Sequence, residues 1–208
     1  MPLEILTIPC LTDNYAYLAH DGDTGETLVV DVPEANPIMA ALTQRGWMLS
    51  HVFLTHHHAD HVDGLDLLLK THPAKVIGAA ADAHRLAALD LAVREGDYIS
   101  IGSYRGEIMD VSGHTLGHIA LHFPEAKAAF TADSLMALGC GRLFEGSPQL
   151  MFESLTKLAA LPAQTWIYSG HEYTASNLKF ALSIEPVNAR LILSLIHISE
   201  PTRPLIIA

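Results

Sequence analysis

The 208-residue sequence predicts one layered α/β sandwich. Three observations carry that expectation. Short β-type runs alternate with helical patterns along most of the chain. The strands fall into two groups, each followed by helices. Half of the residues are hydrophobic, enough for a sizeable core, yet no apolar run approaches the roughly 18 residues of a membrane span.

Strands are expected at 3–8, 15–20, 27–31 and 51–54, the first three separated by turn signals such as Asp13-Asn14 and Asp21-Gly22. Asn36-Pro37 opens a helix with Ile38, Ala41, Leu42 and Arg45 on one face and Gly46 as C-cap. A second helix spans 63–71. The second group of strands lies at 75–77, 105–111, 119–123 and 128–132. Pro148 then starts a helix reaching Leu161, followed by a last strand at 165–169 and a last helix at 173–184.

The charge balance, 12 Lys and Arg against 23 Asp and Glu, gives a net −11 without a basic cluster. This disfavours nucleic acid and anionic membrane surfaces as partners. Cys10 and Cys140 stand alone, without a C-x-x-C pair, and read as reduced thiols. No basic segment followed by an apolar stretch marks the N-terminus, so a cytoplasmic, monomeric protein is expected.

Histidine is what stands out: 13 residues, roughly three times ordinary usage. Thr55-His56-His57-His58-Ala59-Asp60-His61 directly follows the apolar run Val52-Phe53-Leu54. A strand end feeding a tight loop can aim His56, His58, Asp60 and His61 at one point, and neutral imidazoles with a carboxylate suit Zn²⁺, Fe²⁺ or Mn²⁺. Further ligand types follow other strands: His114, Asp133 and His171. Seven candidates exceed one tetrahedral zinc, whereas two metals sharing Asp133 would use them all. His57 is expected to point away from its neighbours. His20, His51, His72, His84, His118 and His122 read as ordinary surface or core residues, with His118 the one to inspect for contact with a ligand.

His-x-His-x-Asp-His, followed by isolated His, Asp and His after successive strands, resembles the metallo-β-lactamase superfamily. That resemblance implies a four-layer αββα sandwich and a binuclear site. His56, His58 and His114 would hold one metal, Asp60, His61 and His171 the other, and Asp133 would bridge. Asp31, ending its strand, would orient a ligand. Zinc is the first expectation, with iron or manganese as alternatives.

Within the superfamily the sequence is most similar to the glyoxalase II family, from about Ile5 to Ile184. The likeness is carried by Thr-Asp-Asn-Tyr (12–15), Gly-His-Thr (113–115), Gly-Cys-Gly-Arg-Leu-Phe-Glu-Gly (139–146) and Gly-His-Glu-Tyr-Thr (170–174), besides the histidine motif. It implies hydrolysis of the glutathione thioester S-D-lactoylglutathione to D-lactate and glutathione, a step of methylglyoxal detoxification. Asp60 and Asp133 would act in catalysis, and Arg142 and Tyr173 would bind a glutathione carboxylate. Some family members carry Tyr where Phe144 stands. A lactonase using the same metals, or an inactive metal-binding form, are the alternative readings.

Residues 194–203, Ser-Leu-Ile-His-Ile-Ser-Glu-Pro-Thr-Arg, resemble the translation of a transposase-type sequencing adaptor. Residues 1–193 are therefore expected to form the catalytic domain, without the family's C-terminal helical segment, and 194–208 a non-native tail. Weakened glutathione binding is expected to follow.

Overall fold

The computed structural model describes residues 2–193, so the expected tail at 194–208 lies outside the described residues. The chain divides into two compact units. Among the described residues the first runs to Met136 and from Cys140 to Glu172; the second comprises Ala137–Gly139 and the described residues from Tyr173 on.

The first unit contains two sheets. Strands β1 (Glu4–Cys10), β2 (Asn14–His20), β3 (Thr27–Val30), β4 (His51–Leu54), β5 (Lys75–Ala79) and β6 (Leu91–Val93) lie side by side in chain order. β1 to β3 form an antiparallel meander, and β3 to β6 run parallel. Leu28-Val29-Val30 and Val52-Phe53-Leu54 are buried without alternation, as strands covered on both faces require. The second sheet has the order β11-β10-β9-β8-β7, from β7 (Tyr98–Ile101), β8 (Tyr104–Asp110), β9 (Ile119–Phe123), β10 (Ala128–Ala132) and β11 (Trp166–Ser169). Only the β10–β11 pair in it is parallel.

Three apolar clusters define four layers in this unit. Leu28, Val30, Phe53 and Ile77 of the first sheet meet Ile108, Leu121, Phe123 and Phe130 of the second in the central core. The other face of the first sheet, with Val29, Val52 and Leu54, packs on Ile38 and Leu42 of α1 (Ala35–Arg45) and Leu65 and Leu68 of α3 (Leu65–Thr71). The other face of the second sheet, with Met109, Val111 and Ala120, packs on Leu158 of α4 (Pro148–Ala159). Helix, sheet, sheet, helix is the αββα order. Truncating a fully buried ring such as Phe53 or Phe130 to Ala would cost about 3–5 kcal/mol.

Local signals explain the helix ends. Gly46 closes α1 at φ 67°, the left-handed cap a glycine adopts without a Cβ penalty. In α4, Ser147 Oγ accepts from the backbone N–H of Leu150 and Pro148 sits at the helix start. The helix expected at 63–71 is α3, and a short α2 (Ala59–Val62) that the sequence pattern did not show precedes it, with Gly64 between them. A Cβ at Gly64 would lie 2.7 Å from the backbone N of Ala35, so this corner admits only glycine. The second unit holds α5 (Thr174–Ile184), within the expected bounds of 173–184. Cys10 and Cys140 are both free thiols. No helix among the described residues is long and apolar enough to cross a membrane.

Candidate metal centre

Strand ends deliver every candidate ligand to one edge of the first unit. β4 runs into His56 and His58, and Asp60 and His61 lie on the short α2 immediately after. His114 follows β8, Asp133 follows β10 and His171 follows β11. Two residues at this edge have left-handed backbone, Asp31 at φ 57° and Ala132 at φ 42°. Aspartate tolerates that region; for Ala132, next to Asp133, it is strain of the kind that concentrates at functional sites.

The seven side chains converge. His58 Nδ1 lies 3.1 Å from His56 Nε2 and 3.0 Å from His114 Nε2. His61 Nε2 lies 3.3 Å from His171 Nε2, which is 3.4 Å from Asp60 Oδ2. Asp133 stands between the two groups: Oδ1 is 3.4 Å from His61 Nε2, and Oδ2 is 3.4 Å from both His114 Nε2 and His171 Nε2. His56, His61, His114, Asp133 and His171 are buried.

Each Nε2-facing ring is oriented through its other nitrogen. His61 Nδ1 donates to Asp31 Oδ2 at 2.8 Å, His171 Nδ1 to Asp13 Oδ1 at 3.0 Å, and His114 Nδ1 to the carbonyl of Arg142 at 2.6 Å. His56 Nδ1 meets Thr55 Oγ1 at 3.0 Å. In the neutral ring, donation from Nδ1 leaves the lone pair on Nε2, where the rings converge. Asp31 also accepts from Thr55 N and Thr55 Oγ1, each at 2.8 Å, which locks the turn between β4 and the histidines. The Asn14 amide donates to both the carbonyl and Oδ2 of Asp60 at 3.0 Å.

Electrostatics divide the rings. Burial lowers the pKa of His56, His58 and His114, keeping them neutral. Burial also opposes charge on His61 and His171, but carboxylates outweigh it, Asp31 and Asp133 for His61 and Asp133 and Asp60 for His171, raising both to about 10. Asp60 is held well below the usual carboxylate range, chiefly by its hydrogen bond with His171. For Asp133 burial raises the pKa, but His171 and His61 overcome it and drive the value far down.

These residues fit divalent metal. Asp133 Oδ1 is buried and has no hydrogen-bond partner, an arrangement that costs free energy unless a cation takes the lone pairs. Ligand-to-ligand separations of 3.0–3.9 Å bracket the edge of a tetrahedron with bonds of about 2.0–2.1 Å, roughly 3.3–3.4 Å. His56, His58 and His114 form one cluster with mutually close ligand atoms, and Asp60, His61 and His171 another.

Arg142 is exposed, and its guanidinium lies 5.6 Å from the Phe144 ring centre; that ring stands edge-on to His58 and His114, 5.4 Å from each. Tyr173 belongs to the second unit, where its carbonyl accepts from Ser176 Oγ and Asn177 N. His118 is fully buried and stacks on the candidate ligand His56, ring centres 4.6 Å apart. His57 turns from the cluster to Asp82 Oδ2 at 3.1 Å. Asp13 and Asn14 carry no histidine-like signal; only their place in the Thr-Asp-Asn-Tyr segment hinted at them.

Against known families, this site has the expected parent: the profile of the metallo-beta-lactamase superfamily matches residues 12–171. Among solved structures, the B3 metallo-beta-lactamase BLEG-1 superposes with a TM-score of 0.75 at 21% identity, covering 81% of this chain and 92% of its own. ETHE1 from Myxococcus xanthus does so at 0.73 and 26% identity, covering 97% and 93%. Curated relatives are nearer. Hydroxyacylglutathione hydrolase of Ruegeria pomeroyi is 64% identical over 191 residues, and that of Roseobacter denitrificans 62% over 192; each alignment spans 92% of this chain and 75% of the relative. The chain belongs to the hydroxyacylglutathione hydrolase family, the glyoxalase II branch of the metallo-β-lactamase superfamily.

Proposed function

We propose that the chain hydrolyses S-D-lactoylglutathione to D-lactate and glutathione, using two divalent metal ions, zinc first among them. The observation that carries this reading is the convergence of five imidazoles and two carboxylates, one of them Asp133 with its partnerless Oδ1, in a chain 62–64% identical to curated hydroxyacylglutathione hydrolases. His56, His58 and His114 would hold one ion and Asp60, His61 and His171 the other, with Asp133 between them.

When bound, the metals supply a water acidified toward a pKa of about 7 and polarise the thioester carbonyl. The chain does the rest. Asp60, ionised and held by the Asn14 amide, accepts a hydrogen bond from the attacking water and aims it. Asp31 and Asp13 keep His61 and His171 oriented through turnover. The departing thiolate, whose conjugate acid has a pKa of about 8.5, leaves without a general acid. The Arg142 guanidinium and the Tyr173 phenol suit a glutathione carboxylate. The proposed setting is methylglyoxal detoxification by a cytoplasmic monomer. Residues 1–193 would be its catalytic domain and 194–208 a non-native tail, which resequencing with a different library chemistry tests.

Side-by-side assays of S-D-lactoylglutathione and an acyl-homoserine lactone decide the substrate class. The proposal requires thioester cleavage that chelation abolishes and zinc restores. Faster lactone than thioester cleavage would overturn it.

A further inference from the structure

Four charged or titratable side chains outside the ligand set form one connected group. Arg85, on the segment after β5, forks onto two carboxylates. Its Nη1 and Nη2 reach Oε1 and Oε2 of Glu145, the latter at 3.2 Å, and its Nε donates to Asp82 Oδ1 at 3.1 Å. Asp82 is 1% exposed and takes His57 Nδ1 on its other oxygen. Glu145 Oε2 also accepts the backbone N–H of Leu116 at 2.8 Å, and Oε1 lies 3.6 Å from His57 Nε2.

The place of Glu145 gives the group its meaning. It sits in 142–146, the segment that bears Arg142 and Phe144. Among the described residues, the other hydrogen bonds of this segment run to the His114 loop: Phe144 N to the His114 carbonyl, Gly146 N to the Gly113 carbonyl, and His114 Nδ1 to the Arg142 carbonyl. These hydrogen bonds fasten the two loops to each other. Glu145, through Arg85 and Asp82, ties the pair to His57, the residue between two candidate ligands.

We propose that Arg85 and Glu145 form a positioning clasp. It fixes the Arg142 segment and the His114 ring relative to His56 and His58, and so sets both substrate affinity and the metal affinity of that cluster. The substrate half of this inference rests on the reading of Arg142 given under Proposed function. An isolated surface ion pair would do little. This one is bidentate, shares its guanidinium with a buried carboxylate and adds a charged link between two sets of loops that otherwise meet through the His58–His114 and His58–Phe144 ring contacts.

Arg85→Ala would strip buried Asp82 of its cation and can fail to fold, so Glu145 carries the test. On the full chain with zinc in excess, Glu145→Ala is expected to raise KM for S-D-lactoylglutathione about fivefold while kcat stays within about twofold, with Glu145→Gln intermediate. Zinc affinity, read by competition with a chromophoric chelator, should fall about tenfold. Tryptic cleavage after Arg142, followed by mass spectrometry, should quicken about tenfold at an unchanged folded fraction. Cleavage and zinc affinity within twofold of wild type would overturn the clasp. A raised KM with both unchanged would also overturn it, making Glu145 a direct substrate contact. Should the wild-type chain cleave no glutathione thioester, the functional reading falls, and the zinc and proteolysis measurements still decide the clasp.

Discussion

Replacing Asp31 by Asn exchanges one oxygen for an amide nitrogen at the point where fold and metal centre meet. Asp31 Oδ1 accepts from Thr55 N, and Oδ2 accepts from Thr55 Oγ1 and His61 Nδ1, all at 2.8 Å. With the amide oxygen kept on Thr55 N, the new NH₂ faces His61 Nδ1 and turns it from donor to acceptor. The imidazole proton then moves to Nε2, the atom 3.3 Å from His171 Nε2 and 3.4 Å from Asp133 Oδ1. The opposite amide orientation sets two buried donors, the NH₂ and Thr55 N–H, against each other and is worse. Losing one charge-assisted acceptor is worth about 1.5–3 kcal/mol, so thermal unfolding should drop by about 5 °C for a chain of this size. The reversed tautomer should weaken zinc about 10–100-fold. Chelator competition measures the second effect and thermal melting of the chelated protein the first. Wild-type zinc affinity in Asp31→Asn would refute the claim that Asp31 sets the His61 tautomer.

Two further outcomes follow from the same geometry. A Cβ at Gly170 would lie 2.3 Å from Asp133 Oδ1 and 2.8 Å from His61 Cε1. Because the carboxylate can swing aside, Gly170→Ala should cost no more than about 1–3 kcal/mol of stability yet lower zinc affinity by about a hundredfold or more; calorimetric titration of equal zinc affinity would contradict this. His118, pushed down to about 3 by burial, is neutral in the fold but protonates near 6.5 when unfolded. The unfolded state therefore binds the extra proton between pH 6.5 and 3, and stability falls with falling pH across that window by about 1.4 kcal/mol per unit. His118→Phe keeps a ring against His56 and removes the titration. Denaturant melts of the chelated proteins should show a shallower acid loss in the variant, and parallel pH profiles would rule the assignment out.

The parts of the fold that could be read from sequence are those in which burial writes a pattern. Val52-Phe53-Leu54 is apolar without interruption, the run 128–132 is broken only by Thr131, and both are interior strands. β6 and β7 escaped because they are edge strands with little to bury: Leu91–Val93 hides one residue and Tyr98–Ile101 two. α2 has four residues, too few for helical periodicity. The candidate ligands were legible because histidine and aspartate follow strand after strand. Their supports were not. Asp13 reaches His171 across 158 positions, and Glu145 reaches Arg85 across 60; single polar residues so far apart carry no local signal. Arg142 and Tyr173 stood out only through family resemblance.

The central claim is that two metals held by these seven residues make the chain a thioester hydrolase. Metal stoichiometry measured alongside turnover tests it most directly: the chelated protein is titrated with zinc while S-D-lactoylglutathione hydrolysis is followed. No turnover is expected without metal, and activity is expected to rise and saturate at two ions per chain. Undiminished hydrolysis by the metal-free chain, or binding of two ions with no thioester cleavage at any substrate concentration, would contradict it.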